Sequence, residues 1–145
     1  MEEHRRQERV PTVEEKILSK YRNVAVVGLS PNQERPSHRI AKYLAEQGYN
    51  IIPINPNAQQ ILGKASYPKL SSIPEKVEVV DIFRRSEEVM TIVEEAIKIG
   101  AKAVWMQEGI INEEAAAKAR DAGLMVVMDK CMSKEHRRLR RKQSD

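Results

Sequence analysis

Two sets of residues in this chain have the types and spacing to hold a ligand. The first is Val24 to Ser37, VAVVGLSPNQERPS, in which four apolar residues end at Gly28, a polar loop carries Ser30, Pro31, Asn32 and Arg35, and an apolar-periodic stretch starts at Ser37. A buried strand, a turn and a helix start, in that order, bring backbone amides, a helix N-terminus and a guanidinium together. That is the chemistry of anion binding, phosphate above all. The same stretch also fits an ordinary strand-to-helix connection that binds nothing. The second set follows other apolar runs: Asn55 and Pro56 after Asn50 to Ile54, Phe83 and Arg84 at the end of EVVDIF, Gln107 to Ile110 after Ala103 to Met106, and Cys131 after Leu124 to Met128. No nucleophile stands with a general base at a recognisable spacing. His4, His38 and His136 match no catalytic motif, and the single cysteine can form neither an internal disulfide nor a zinc site at familiar spacing.

The elements that must position these residues can be read from periodicity. Thr12 and Glu15 form a capping box for a first helix with Val13, Ile17, Leu18 and Tyr21 on one face, expected to pack beside the first strand. Ile40, Tyr43 and Leu44 repeat at helical spacing before Gly48, and Asn50 to Ile54 is the second strand. A short edge strand is expected at Lys64 to Tyr67. Another strand spans Glu78 to Phe83, and Ser86 is the expected cap of a helix carrying Val89, Ile92, Val93, Ala96 and Ile97. The last strands are Ala103 to Met106 and Leu124 to Met128, separated by a helix from Asn112 to Ala122 with Asn112 as its cap. Strands alternating with helices predict an α/β fold: a Rossmann-like, doubly wound, mainly parallel sheet of five or six strands with helices on both faces. In such sheets ligands sit beyond the C-terminal strand ends, where both sets of residues fall.

The bulk properties restrict the classes of partner. The 145 residues fit one domain, 1–145, with a mobile N-terminus at 1–11 and a basic C-terminal tail at 133–145. No run of 18 apolar residues occurs and the N-terminus lacks a signal-peptide core, so a cytoplasmic protein without a membrane partner is expected. The net charge of +4 is carried entirely by Ser133 to Asp145, a solvated helix or frayed tail that could also contact RNA or a ligand phosphate. The body shows no basic stripe interleaved with aromatics, which argues against nucleic acid as the main ligand.

Three α/β chemistries can be weighed. A dinucleotide fingerprint needs three glycines after the first strand, where this chain has only Gly28, and its second strand ends in Asn55 with no acid to grip a ribose diol. A phosphoacceptor domain needs an acidic cluster at the end of the first strand, and Asp81 lies inside a strand instead. The third is carried by a resemblance. The segments VVGLSPNQERPSHRIAKYL, GYNIIPINP, VVDIFR, VWMQEGIINEEAAAKARDAGL and VVMDKC together resemble the small stand-alone CoA-binding proteins, which are similar to the N-terminal CoA-binding domain of the succinyl-CoA synthetase alpha subunit. The resemblance runs from about Tyr21 to Leu139.

What the resemblance implies is a coenzyme A site on this chain. Gly28, Ser30, Pro31 and Asn32 match the family's phosphate-contacting loop, and Arg35 and Ser37 its basic residue and helix start. Asn55 and Pro56 match the turn beside adenine and ribose, although the synthetase's lysine in that turn is missing, with Asn57 and Ala58 near its place. Arg39 or the basic tail could take over the ribose 3′-phosphate. Phe83 and Arg84 match a strand end where a ring packs on adenine and a guanidinium meets phosphate. Gln107, Glu108, Gly109 and Ile110 match the Q-x-G-I turn beside the pantetheine amides, and Cys131 matches a cysteine near the CoA thiol. Trp105 reads as core. The synthetase's phosphohistidine and nucleotide-grasp partner belong to domains outside this sequence, so the expectation is a non-catalytic CoA or acyl-CoA binding module, acting as a carrier or a CoA-responsive regulator. An NAD(P)-type or other nucleotide binder, a small enzyme acting on CoA thioesters, and a protein partner or homo-oligomer remain open at this point.

Overall fold

The computed structural model describes residues 10–144; most of the expected mobile N-terminus, 1–9, lies outside the described residues. Five strands form one parallel sheet: β1 (Asn23–Val27), β2 (Asn50–Ile54), β5 (Val79–Ile82), β6 (Ala103–Met106) and β7 (Met125–Val127), in the spatial order β2-β1-β5-β6-β7. The crossover helices are α2 (Pro36–Glu46), α3 (Val89–Lys98) and α4 (Glu113–Asp121), flanked by α1 (Val13–Lys20) and α5 (Met132–Ser144). Strand order reverses between β1 and β5. The crevice where such folds bind ligands therefore opens beyond Val27 and Ile82.

The strands read as nearly continuous apolar runs because both faces are covered. On one face Ala25, Ile52, Val80, Ile82 and Val104 pack with Val93 of α3 and Ala116 of α4. On the other, Val24, Val26, Ile51, Val79 and Trp105 pack with Ile17 of α1, Leu44 of α2 and Met132 of α5. The fully buried Trp105 is core, as expected, and its Nε1 donates to the Lys130 carbonyl at 2.8 Å. Thr12 caps α1 with the reciprocal Glu15 bond, and Asn112 caps α4 through the Ala115 amide.

Four local expectations are corrected. Lys64 to Tyr67 is not a strand of the main sheet. Leu62 and Gly63 both take left-handed φ (56° and 72°) and fold the chain into a small hairpin, β3 (Gln60–Ile61) with β4 (Lys64–Ala65), so that only Tyr67 bridges to Ile54 of β2. Ser86 caps no helix. It opens a 3-10 turn before α3, and its hydroxyl accepts from the Ile111 amide at 3.1 Å instead. Helix α1 lies mainly against β7 and α5 while its Ile17 shares a core with Val24 and Val26 of β1, and its Val13, expected on the buried face, is exposed. The C-terminal stretch is helix α5 seated on the body: Met132, Ser133 and His136 are buried, and His136 Nδ1 meets the Tyr43 hydroxyl at 2.8 Å.

Candidate functional site

A cleft of about 880 Å³ opens at the switch point between β1 and β5, within the size range of small-molecule and cofactor sites. Eight residues singled out from the sequence line it: Gly28, Ser30, Arg35, Ser37, Asn55, Pro56, Phe83 and Arg84. Pro31 and Asn32 sit in the same loop outside the lining, and Gln107, Glu108, Gly109, Ile110 and Cys131 lie away from it along the same sheet edge. A second hollow of about 600 Å³, between α1 and α5, is lined by Met125, which opens β7, and Lys142, near the end of α5. It therefore opens at the opposite edge of the sheet from the strand ends.

The loop after β1 is held by its own side chains. Gly28 N donates to the Ile54 carbonyl at 3.0 Å and takes a left-handed φ of 88°. A Cβ there would come within 2.5 Å of the Phe83 carbonyl oxygen and 2.9 Å of Arg84 Cδ, so only glycine lets the β1 and β5 ends close to this spacing. Ser30 N donates to Ser37 Oγ at 3.0 Å, and the Ser30 carbonyl meets His38 Nδ1 at 2.9 Å, which puts a proton on that nitrogen. Asn32 N donates to Ser30 Oγ, and Glu34 N to Asn32 Oδ1.

This changes the origin of the anion-attracting field. The loop amides of Gly28, Ser30, Asn32, Glu34 and Arg35 all donate within the chain. What is left to attract an anion at the start of α2 is the Ser37 amide, since Pro36 has no N–H and the His38 N–H donates to the Arg35 carbonyl at 3.1 Å, together with the Ser30 and Ser37 hydroxyls and the exposed Arg35.

Asn55 ties two loops together. Its Nδ2 donates to the Leu29 carbonyl at 3.0 Å and its Oδ1 accepts from Asn57 N at 2.8 Å. Arg84 is half-exposed at the rim and bonds Glu88 through Nε and Nη2, at 3.1 and 2.7 Å, while Arg85 reaches the other oxygen of the same carboxylate. These guanidinium bonds hold the Glu88 carboxyl below its ordinary range. Phe83 is half-buried, packs against the core on the Trp105 face and lines the cleft.

Beyond β6 and β7 the polar groups are consumed internally. Gln107, almost fully buried, donates from Nε2 to Asp81 Oδ1 at 2.6 Å and accepts at Oε1 from Met132 N, the first residue of α5, at 3.4 Å. Gly109 N donates to Asp129 Oδ1 at 2.7 Å, Glu108 pairs with Lys134 at 3.0 Å, and Ile110 is half-buried. Cys131 is buried with its Sγ 3.2 Å from Ser133 Oγ. Beneath them, Asp81 is completely buried with Oδ2 unpartnered; burial pushes its carboxyl up to about 7, against the Gln107 bond that pulls it down. An acid inside the apolar run VVDIF is itself a sequence signal of a buried polar contact. Sequence reasoning missed Lys69, Thr91 and the glutamates of the α3 wall, which the chain path alone brings to the cleft.

The chain is similar to known proteins along most of its length. The CoA binding domain family model matches residues 22–137. The protein YneT of Bacillus subtilis (strain 168) is 38% identical over 120 residues, covering 83% of this chain and 89% of that protein. A hypothetical protein from Pyrococcus horikoshii OT3 has a solved structure that is 44% identical and superposes with a TM-score of 0.84 over 91% of this chain and 97% of its own. An ADP-forming acetate–CoA ligase (II) of Archaeoglobus fulgidus is 30% identical over 95 residues, which are 64% of this chain and only 14% of the ligase. A cleft at the switch point, an uncapped helix start and a matched model over most of the sequence converge: this chain belongs to the CoA-binding domain family.

Proposed function

We propose that this chain binds coenzyme A or an acyl-CoA without transforming it, as a carrier or a CoA-responsive regulator. The observation that carries the reading is the cleft between β1 and β5, where the uncapped start of α2, two serine hydroxyls, Arg35 and Arg84 surround one space. That donor set suits a pyrophosphate. Phe83 offers a ring to an adenine, and Asn55 and Pro56 form the floor on the β2 side. From there the pantetheine arm would run along the sheet edge past Glu108, Gly109 and Ile110 toward Cys131, with Gln107 acting as a buried strut that shapes this wall.

The cleft's lining contains neither His nor Cys. His38 is directed to the Ser30 carbonyl, and Cys131 to Ser133. Neither forms a nucleophile and base pair. Native mass spectrometry of the purified protein, followed by calorimetric titration, tests the proposal. Release of CoA, and saturable heat with CoA at micromolar or tighter affinity but none with NAD, is the expected result. Saturable heat with NAD and none with CoA would replace it with a dinucleotide reading.

A further inference from the structure

We propose that Lys69 reads a phosphate on the ribose at the β2 end of the cleft, making the site selective for coenzyme A over dephospho-CoA. This inference rests on the coenzyme A reading above and adds the residue that recognises the 3′-phosphate. In doubly wound sheets the adenosine ribose lies beyond the end of the second strand, where a carboxylate grips a free diol and a cation accommodates a phosphorylated one. Strand β2 ends in Asn55, Pro56 and Asn57, so no carboxylate stands there. The Asn55 amide is spent at both ends on backbone groups.

Lys69 is placed to supply the charge. It lines the cleft with Asn57 and Pro68, and it follows Tyr67, whose N–H donates to the Pro53 carbonyl at 3.0 Å and whose carbonyl accepts from Asn55 N at 2.9 Å. That pairing fixes residue 67 alongside β2. The Ser72 hydroxyl then pins Lys69 itself, accepting from its N–H at 3.3 Å and donating to its carbonyl at 2.7 Å. A lysine in an otherwise irregular segment thus has a set backbone position and a free head: among the described residues Lys69 Nζ has no hydrogen-bond or ion-pair partner. The cleft's carboxylates, Glu87, Glu88 and Glu95, belong to the α3 wall, and Glu88 is neutralised by two arginines.

The other cations are committed elsewhere. Lys64 Nζ donates to Asn50 Oδ1, at the start of β2 and the opposite edge of the sheet. Arg39 bonds the Glu34 carbonyl. The basic helix α5, a possible substitute on sequence grounds, is docked away from the cleft: Lys134 pairs with Glu108, Lys142 with Glu15, Arg140 with Gln47, and Arg137 lies over the Tyr43 ring. Arg35 stands on the α2 side, by the pyrophosphate position. Lys69 is the remaining cation on the β2 wall.

Calorimetric titration of CoA and dephospho-CoA into the full chain and into Lys69→Met and Lys69→Arg, at one fixed ionic strength, tests this. The parent should bind CoA about tenfold more tightly than dephospho-CoA, the scale of one charge-assisted contact. Lys69→Met should cut that ratio to about twofold or less while leaving the dephospho-CoA affinity unchanged, and Lys69→Arg should restore most of it. Equal affinities in the parent, or a Lys69→Met variant that keeps the full ratio or weakens both ligands alike, would overturn the assignment to Lys69 while leaving CoA binding intact. Absence of heat with both ligands in the parent would overturn the coenzyme A reading, and this one with it.

Discussion

The two halves of the sheet's C-terminal edge have the same topology and opposite character. Around β2, β1 and β5, polar groups surround a space: an uncapped helix start, Arg35, Lys69 and the rim Arg84. Around β6 and β7, equivalent strand-end groups are turned on one another, with Gln107 strung between Asp81 and Met132, Gly109 on Asp129, and Trp105 on Lys130. A strand end is therefore a place where chemistry can be mounted, and the hydrogen-bond inventory leaves the first half's polar groups open to the cleft while the second half's are spent on the fold.

Gly28 is where the two roles meet, and its substitution has the largest expected effect. Gly28→Val puts a Cβ against the Phe83 backbone at a left-handed φ, so the collision is with the fold as much as with a ligand. We expect loss of CoA binding together with a destabilisation of about 4 kcal/mol, the sum of a left-handed β-branched residue and an overpacked contact. Urea unfolding checks the second part, and a parent-like midpoint would contradict it.

Next comes the closed half. Asp81 ionises near 7 in the fold and near 3.8 outside it, because burial disfavours its charge. Its contribution to stability is fully present below the unfolded value and is lost as pH rises through about 7. Relative to Asp81→Asn, the parent should lose about 3 kcal/mol between pH 5 and pH 8, from roughly two pH units of differential ionisation. Urea midpoints across that range read the difference directly; parallel curves for the two proteins would count against it.

Smaller effects should separate the halves. Arg35→Ala should weaken CoA by about 1.5 to 3 kcal/mol with little change in stability, whereas Gln107→Ala should cost about 2 kcal/mol of stability, through the stranded Asp81 oxygen and Met132 amide. Titration and urea unfolding of both variants would show the crossed pattern, and a Gln107→Ala variant of parent stability would erase the contrast. Smallest of all, Glu88→Gln frees Arg84 from its competitor and should tighten CoA about twofold to threefold at low salt, vanishing at high salt.

The regular elements were legible because their signals are local. The capping box at Thr12, the cap at Asn112 and the valine-rich run at 24–27 each specify their own segment. The β2 span Asn50–Ile54 and the β6 span Ala103–Met106 match the sequence reading residue for residue. What was not legible depends on where the path returns. Lys69 reaches the cleft only because a left-handed Leu62–Gly63 turn folds the hairpin and lets Tyr67 seat on β2, and nothing near Lys69 in sequence encodes that. Gln107 reads as a ligand-facing amide until Asp81, 26 residues earlier, is seen to take its N–H. The tail reads as solvated from its arginines and lysines, while the residues that dock it, Met132 and His136, are few and spaced at one helical turn.

The contrast between the halves is tested most directly by following backbone amide resonances of the ¹⁵N-labelled chain during titration with CoA. The account predicts saturable shifts strongest at 28–37, 55–57, 69 and 83–88, weaker ones along 108–110 and at 131 where the pantetheine arm passes, and amides of Gln107 and Met132 that are nearly still. Shifts centred on 107–110 and 131–133 with a silent Gly28 loop, or no saturable shift anywhere, would contradict it.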